Sequence, residues 1–389
     1  MALGVGALGW GRRSFRGWRH HSDSCPGSFV KRGHLDRFRP ICPICRAAGR
    51  PPPALALRVH RDRGDEVDEG ALICPERMCQ AEYPILDGIP FVVPNPREVI
   101  AGQIEDLRAA SGAATGEGSA WADSVRLDSV GPGSPLERHH HHLSSYGRGH
   151  WGDLDPVEPR ARDGGVAAVL ATALELLPAP PTGAWLDVGC SVGRASFELA
   201  ARTDDLVLGV DLNVSMLRLA RRVAREGRGA HPLRRVGVVY DRRDFAVEPA
   251  GRDRVDFWVC DAIALPFADR AVDGVTSLNV LDCVQWPLSH LIELGRVLRS
   301  GGSAVLATPY DWSPAATPFE GWLGGHSQRA EHHGSSAREV RRLLAVGDPA
   351  EAGTRLELVA EREAVPWRVY VHERAEMQYQ VHLVVARAV

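Results

Sequence analysis

The chain has 389 residues, 44% of them hydrophobic and 24% charged, with a formal net charge of −3, which allows two or three soluble globular domains. No apolar run approaches the roughly 20 residues of a membrane-spanning helix. The near-neutral balance excludes a chain built around nucleic-acid-like positive charge. Arginine supplies nearly all the basic charge, Lys31 being the only lysine, so the arginine-rich N-terminus is weak ground for an RNA-binding patch.

Residues 1–39 read as a disordered basic N-terminus, rich in Gly, Arg, Ser and His without periodicity. Arg12-Arg13 is not followed by the apolar stretch of an export signal, so a cytoplasmic location is expected. The chain has eight cysteines, and four of them cluster as Cys42-Pro-Ile-Cys45 and Cys74-Pro-Glu-Arg-Met-Cys79. Two close pairs separated by a loop's length can offer four thiolates to one tetrahedral zinc ion. Disulfides are the alternative, and a metal-free ribbon descended from a zinc site is a variant of the first reading. A reducing compartment favours the metal. Cys190 and Cys260 are expected as small apolar core residues.

After the second pair, Glu82 to Val93 reads as strand, Asp-Gly turn, strand. The segment Tyr83-Pro84-Ile85-Leu86-Asp87-Gly88-Ile89-Pro90 resembles the signature of the Trm112-like zinc ribbons, over roughly residues 40–95. That resemblance implies a ribbon that stands alone as a methyltransferase activator or is fused to a methyltransferase. It also implies a possible protein partner at the ribbon. Residues 96–160 read as a linker and pre-domain segment, with a short helix over Gln103 to Ala110. His139-His140-His141-His142 within it is read as a solvated run, because four adjacent side chains do not share one face of a helix or strand.

From about residue 161 to 389 the chain alternates helix and strand. The spacing predicts a helix over 166–177 and strands over 184–188, 206–211, 255–260, 271–278 and 303–308. Helices are expected over 195–201, 215–225 and 291–298. An insertion at 226–253 holds one strand-like piece, 236–240. Two late strands, 355–358 and 380–386, suit an antiparallel edge. The expected fold class is α/β: a Rossmann-like doubly wound methyltransferase sheet with a small N-terminal β-rich zinc ribbon.

The most informative run is Trp185-Leu186-Asp187-Val188-Gly189-Cys190-Ser191-Val192-Gly193, strand then glycine turn then helix, with Asp211 ending the next apolar run. A dinucleotide loop wants three glycines around a pyrophosphate. Here Ser191 takes the middle place, and Asp187 would repel phosphate while suiting a ligand with an amino group. The run resembles motif I of the class I S-adenosylmethionine (SAM) methyltransferases. Cys260-Asp261-Ala262-Ile263-Ala264-Leu265-Pro266-Phe267, Ser277-Leu278-Asn279 and Leu298-Arg299-Ser300-Gly301-Gly302 resemble later motifs of the same family.

The resemblance implies SAM as cofactor, with Asp187 near its amino-acid end and Gly189 and Gly193 allowing close approach. It places Asp211 on the ribose hydroxyls and Leu212 beside the adenine. Asp261 and Ala262 would read the adenine, and Asn279 would line the methyl-transfer side. The metal set is Cys42, Cys45, Cys74 and Cys79. No catalytic residue is universal in this family, and none is assigned. Tyr146, His150, Tyr310, Asp311, His326, Arg329, His333, Glu373, Arg374 and His382 are candidates for the acceptor side. The acceptor is left open between a small molecule and RNA or protein. A non-catalytic SAM-binding scaffold that recruits a partner through the ribbon is the alternative function.

Overall fold

The structure is a computed structural model that describes residues 30–103, 135–157, 165–345 and 353–389. Its centre is a twelve-stranded sheet. Seven strands form the α/β half: β6 (Trp185–Val188), β7 (Val207–Asp211), β10 (Val255–Cys260), β11 (Val272–Leu278), β12 (Leu298–Thr308), β13 (Leu356–His372) and β14 (Ala375–Ala388). They lie in the order β10-β7-β6-β11-β12-β14-β13, with the first five parallel and the last two antiparallel. The chain starts in the middle at β6 and winds outward both ways, so β6 and β11 flank a switch point where ligands bind in such sheets.

Strands β6, β7 and β10 are buried on both faces, so each reads as a nearly continuous apolar run. Helices α5 (Val166–Glu175), α6 (Arg194–Ala200) and α7 (Val214–Glu226) carry Val169, Phe197 and Leu217 into one core. Helices α8 (Pro287–Val297) and α9 (Ser336–Leu343) carry Leu291, Leu294 and Val340 into the core of the other face.

The N-terminal strands are β1 (Val30–Lys31), β2 (Ala56–Arg63), β3 (Glu66–Ile73), β4 (Glu82–Leu86) and β5 (Ile89–Val92). β5 pairs in parallel with β10, register Val259↔Phe91, so the cysteine-bearing module extends the α/β sheet past β10. Phe38, Leu72 and Tyr83 share one hydrophobic core with Trp258 and Phe267. Polar ties fix the same seam. Lys31 Nζ donates to the carbonyls of Arg252, Asp253 and Val255 at 3.2, 2.7 and 2.9 Å. Arg46 grips Glu293 through two bonds of 2.6 and 2.7 Å.

Residues 30–39 depart from the expected disorder: β1 and helix α1 (Arg32–Phe38) are ordered against the α/β half. His34, Leu35 and Phe38 are buried, and His34 Nε2–H reaches the carbonyls of Arg254 and Val207 at 3.0 and 3.2 Å. A seven-residue helix is too short to stand alone or to show a period; docking alone stabilises it. Residues 1–29 lie outside the described residues.

A second departure is helix α3 (Pro96–Gly102), which ends before Gln103, where the sequence suggested a helix to begin. Residues 104–110 lie outside the described residues. Proline at the start of α3 has the fixed φ that suits a first helical turn. A third is α4 (Pro135–Trp151), a helix that contains the whole histidine run. The rings of His140 and His142 meet Tyr240 and Tyr146 at 5.6 and 6.5 Å. A fourth is the insertion, which is a full hairpin, β8 (Arg228–Val236) and β9 (Val239–Ala246), under α4. Arginines on its open face hide the alternation that marks a strand. The two C-terminal strands are also much longer than expected, and three register shifts interrupt the period-two pattern between them.

Candidate functional site

The C-terminal ends of β10, β7, β6 and β11 bring Asp261, Asp211, Asp187 and Asn279 to one edge of the sheet. Asp187 points into the interior and is 2% exposed. Its Oδ2 accepts from Ser196 Oγ at 2.6 Å and its Oδ1 from Thr276 Oγ1 at 2.8 Å. Burial pushes its carboxyl up to about 6, against the pull of those hydroxyls. Asp187 therefore ties β6 to α6 and β11 beneath the loop.

Gly189 and Gly193 take φ of 73° and 83°, in the left-handed region. A Cβ on Gly189 would lie 2.3 Å from Val280 Cγ2, and one on Gly193 2.7 Å from Phe257 Cζ. Neighbouring protein demands both glycines, where the sequence suggested room for a ligand. Between them Ser191, φ 51°, donates its amide to Asp211 Oδ2 at 2.9 Å. Asp211 Oδ1 accepts the Asn213 amide at 2.8 Å. Each carboxylate oxygen keeps a lone pair for a further donor. Burial raises this carboxyl, and the backbone amides of Asn213, Ser191 and Leu212 oppose the rise. Leu212, 43% exposed, stands beside it.

Asp261 Oδ1 accepts the Ile263 amide at 3.0 Å, which closes the turn after β10. Burial raises its carboxyl as well. Asn279 has φ 58° and donates its amide to Ala307 O at 2.7 Å, while its buried Oδ1 has no partner.

His290, absent from the sequence reading, fixes this turn. It is fully buried on α8. Nδ1–H donates to Ala262 O at 3.0 Å, so Nε2 accepts from Ser277 Oγ at 2.8 Å. Burial pushes its pKa down to about 4, so the ring is neutral at pH 7. The unfolded chain binds a proton near pH 6.5 that the fold refuses. The stability this neutral ring supports is complete above about pH 6.5 and is lost as pH falls toward 4. Thermal melts of the parent should therefore drop more steeply from pH 7 to 4.5 than those of His290→Gln; equal slopes would contradict the assignment.

α4 roofs the loop. Trp151 Nε1 donates to Val192 O at 3.0 Å, and the Arg194 amide donates to His150 Nδ1 at 3.2 Å. The Arg194 guanidinium lies 5.2 Å over the Trp151 ring and holds Asp153 at 2.8 and 3.1 Å. His150 is thus a packing residue. Tyr146, one turn earlier, is 43% exposed. Desolvation raises its phenol, and nearby negative charge, including that of Asp211 and Asp282, adds to the rise.

The opposite wall comes from the loops after β11 and β12. Asp282, 2% exposed, accepts the Asp311 amide on Oδ2 at 2.7 Å, and its buried Oδ1 has no partner. Burial raises its carboxyl. Tyr379 donates to Asp311 Oδ2 at 2.7 Å, and Thr317 Oγ1 donates to Val284 O at 2.7 Å. Asp282, Cys283 and Tyr379 carried no motif and were missed; only their position after strand ends could have marked them. Aromatic rings cluster farther along the loop after β12: Trp312 stacks on Trp322 at 6.2 Å, and Phe319 meets Trp322 at 5.2 Å.

The remaining acceptor-side candidates scatter. His382 Nε2–H donates to Glu361 at 2.9 Å, so its Nδ1 accepts from Tyr310 OH at 2.7 Å. His326, Arg329 and His333 are exposed on the loop after β12. Glu373, 3.4 Å from Arg235, and Arg374 sit at the β13–β14 turn beside the β8–β9 hairpin.

At the other end of the sheet, the Sγ atoms of Cys42, Cys45, Cys74 and Cys79 all lie within 4.8 Å of one another. Cys42 and Cys79 are 3.7 Å apart, as are Cys45 and Cys74. Zn–S bonds of about 2.3 Å at tetrahedral angles set sulfurs about 3.8 Å apart, so the donor set fits zinc. Tyr83 OH and the Cys45 amide point at Cys42 Sγ at 3.2 and 3.4 Å, a second shell for a thiolate.

This sheet and the convergence of its strand ends define a Rossmann-like α/β domain. Residues 186–306 match the family described as Methyltransferase domain. The chain is similar to Methyltransferase GfsG of Streptomyces halstedii, 29% identical over 160 residues, covering 41% of this chain and 49% of that protein. It is also similar to O-methyltransferase cnsE of Penicillium expansum, 30% identical over 122 residues, 31% of this chain and 36% of that one. The chain thus spans half or less of the length of these relatives. A solved geranyl diphosphate methyltransferase in complex with SAM aligns over 57% of this chain and 85% of its own, at 21% identity and a TM-score of 0.37. No helix among the described residues is long and apolar enough to cross a membrane.

Proposed function

We propose that this chain is a SAM-dependent methyltransferase over residues 161–389, with a Trm112-like zinc ribbon over residues 40–95 built into its sheet edge. The observation that carries the reading is Asp211, held by two backbone amides with lone pairs left for the two ribose hydroxyls. Asp187 positions the loop from below. Gly189 and Gly193 shape it, and Leu212 borders the adenine. Asp261 and the Ala262 amide face the base, with His290 holding Ala262 in place. The unpartnered Asn279 Oδ1 suits the ammonium of the cofactor's amino-acid end. Cys42, Cys45, Cys74 and Cys79 hold the zinc, and their reduced thiols suit the cytoplasm.

Bound SAM supplies a methyl group already activated on a sulfonium, so the protein has to align the acceptor and exclude water. Tyr146 and the Trp312–Trp322–Phe319 cluster flank the acceptor side, which favours a small molecule with a flat or apolar face. Asp282, a buried carboxylate just after β11, is the candidate base for the proton that a hydroxyl or ammonium acceptor gives up.

Labelled SAM incubated with fractionated host extract tests the reading. Label is expected in a small-molecule fraction, whereas no transfer to any fraction would refute an active enzyme. With that fraction as substrate, Asp282→Asn should slow labelling by about a hundredfold and leave SAM affinity within twofold. An unchanged rate would remove Asp282 from the chemistry.

A further inference from the structure

Helix α7 begins directly after the ribose-side loop, and its first amides need acceptors from outside the helix. Asn213 Oδ1 accepts those of Ser215 and Met216, both at 3.1 Å. The first, Val214 N, donates to Gln103 Oε1 at 2.8 Å, across 111 positions of sequence. The same amide group returns a bond, Gln103 Nε2 donating to Leu212 O at 2.7 Å. Gln103 thus brackets Asn213 from both sides. It clamps the loop that orients Asp211, although it belongs to the segment leaving the cysteine module. A second tie runs alongside, since Asp87, in the β4–β5 turn, pairs with Arg218 of α7. Val99 and Ile100 of α3 pack onto the core beneath.

We propose that Gln103 is a positioning residue for the cofactor. It caps α7 in trans and fixes the Asp211–Leu212 loop, so that the segment leaving the ribbon sets SAM affinity. The physical basis is pre-organisation. Without the clamp the Leu212 carbonyl and Val214 amide lose their partners, and the loop has to be ordered when ligand binds. Two neutral hydrogen bonds of about 1 kcal/mol each bound the effect at about ten- to thirtyfold in affinity. The inference rests on the SAM reading above.

The test measures SAM binding by calorimetry to the full zinc-loaded chain, as parent, Gln103→Met and Gln103→Glu. Methionine keeps the length and volume but makes neither bond; glutamate keeps the acceptor for Val214 N and loses the donor to Leu212 O. Both variants should bind SAM about tenfold or more below the parent, Glu because its carboxylate oxygen faces the Leu212 carbonyl with no proton to donate. Methyl-transfer rate at saturating SAM should stay within about twofold, because the clamp acts on binding. Met binding within twofold of the parent overturns the proposal. So does a loss of affinity accompanied by loss of the cooperative melt, since that marks general structural damage. A parent chain that fails to bind SAM overturns the cofactor reading itself, a result distinct from all of these.

Discussion

Asp211→Ala is expected to weaken SAM binding by about a hundredfold or more, about 3 kcal/mol, from the loss of two charge-assisted hydrogen bonds to the ribose. The substitution also removes the acceptors for Ser191 N and Asn213 N. The motif loop and the α7 loop then lose their shared anchor, and the loss should exceed that of Gln103→Met. Acidification should act in the same direction. Burial raises the Asp211 carboxyl, so the charged acceptor is lost progressively as pH falls through that raised value, and affinity falls with it. Calorimetric titration with SAM across pH, on parent and variant, reads both effects. An affinity untouched by the substitution would place the ribose elsewhere and refute the site.

Removing the metal should have the largest effect on stability. Cys45 and Cys74 are buried at 0% and 1% exposure, and their replacement by serine leaves two hydroxyls where thiolates would close a tetrahedron around the proposed zinc. Structural zinc contributes about 10–16 kcal/mol in small metal-dependent modules, as much as the whole stability of an ordinary domain. The double variant Cys45→Ser, Cys74→Ser is expected to lose its one equivalent of zinc by elemental analysis. The cysteine-bearing module should unfold with it. Because β5 pairs with β10 and Phe38 packs against Trp258 and Phe267, the damage should spread. Amide protons of Val259 and Cys260 should exchange faster, and the freed edge should promote aggregation. A variant that melts at the parent's temperature, in a parent that holds no zinc, would show the cysteines to be ordinary core residues.

Much of the α/β half was legible because its signals are local. The run ending in Asp187, the glycine turn and the acidic end of β7 need only neighbours in sequence, and the β10 boundaries match residue for residue. The cysteine pairs were legible for the same reason: spacing alone brings two thiols to one turn. The missed features depend on distant partners. α1 is stable only because His34 and Phe38 find acceptors and apolar surface more than a hundred residues away. Asp282 and His290 look in sequence like any loop acid and helix histidine.

The sequence by itself determined the parallel sheet, the acidic and glycine positions of the loop after β6, and the pairing of four cysteines into one cluster. Periodicity, turn chemistry and spacing are encoded within a few residues. The tertiary structure decided what those residues do. It turned Asp187 inward onto Ser196 and Thr276, and it set Val280 and Phe257 against the two glycines. It joined the cysteine-bearing module to the sheet through β5 and closed α7 with Gln103. Those outcomes depend on which surfaces bury one another and on which polar groups then need partners, quantities that no local window of sequence contains.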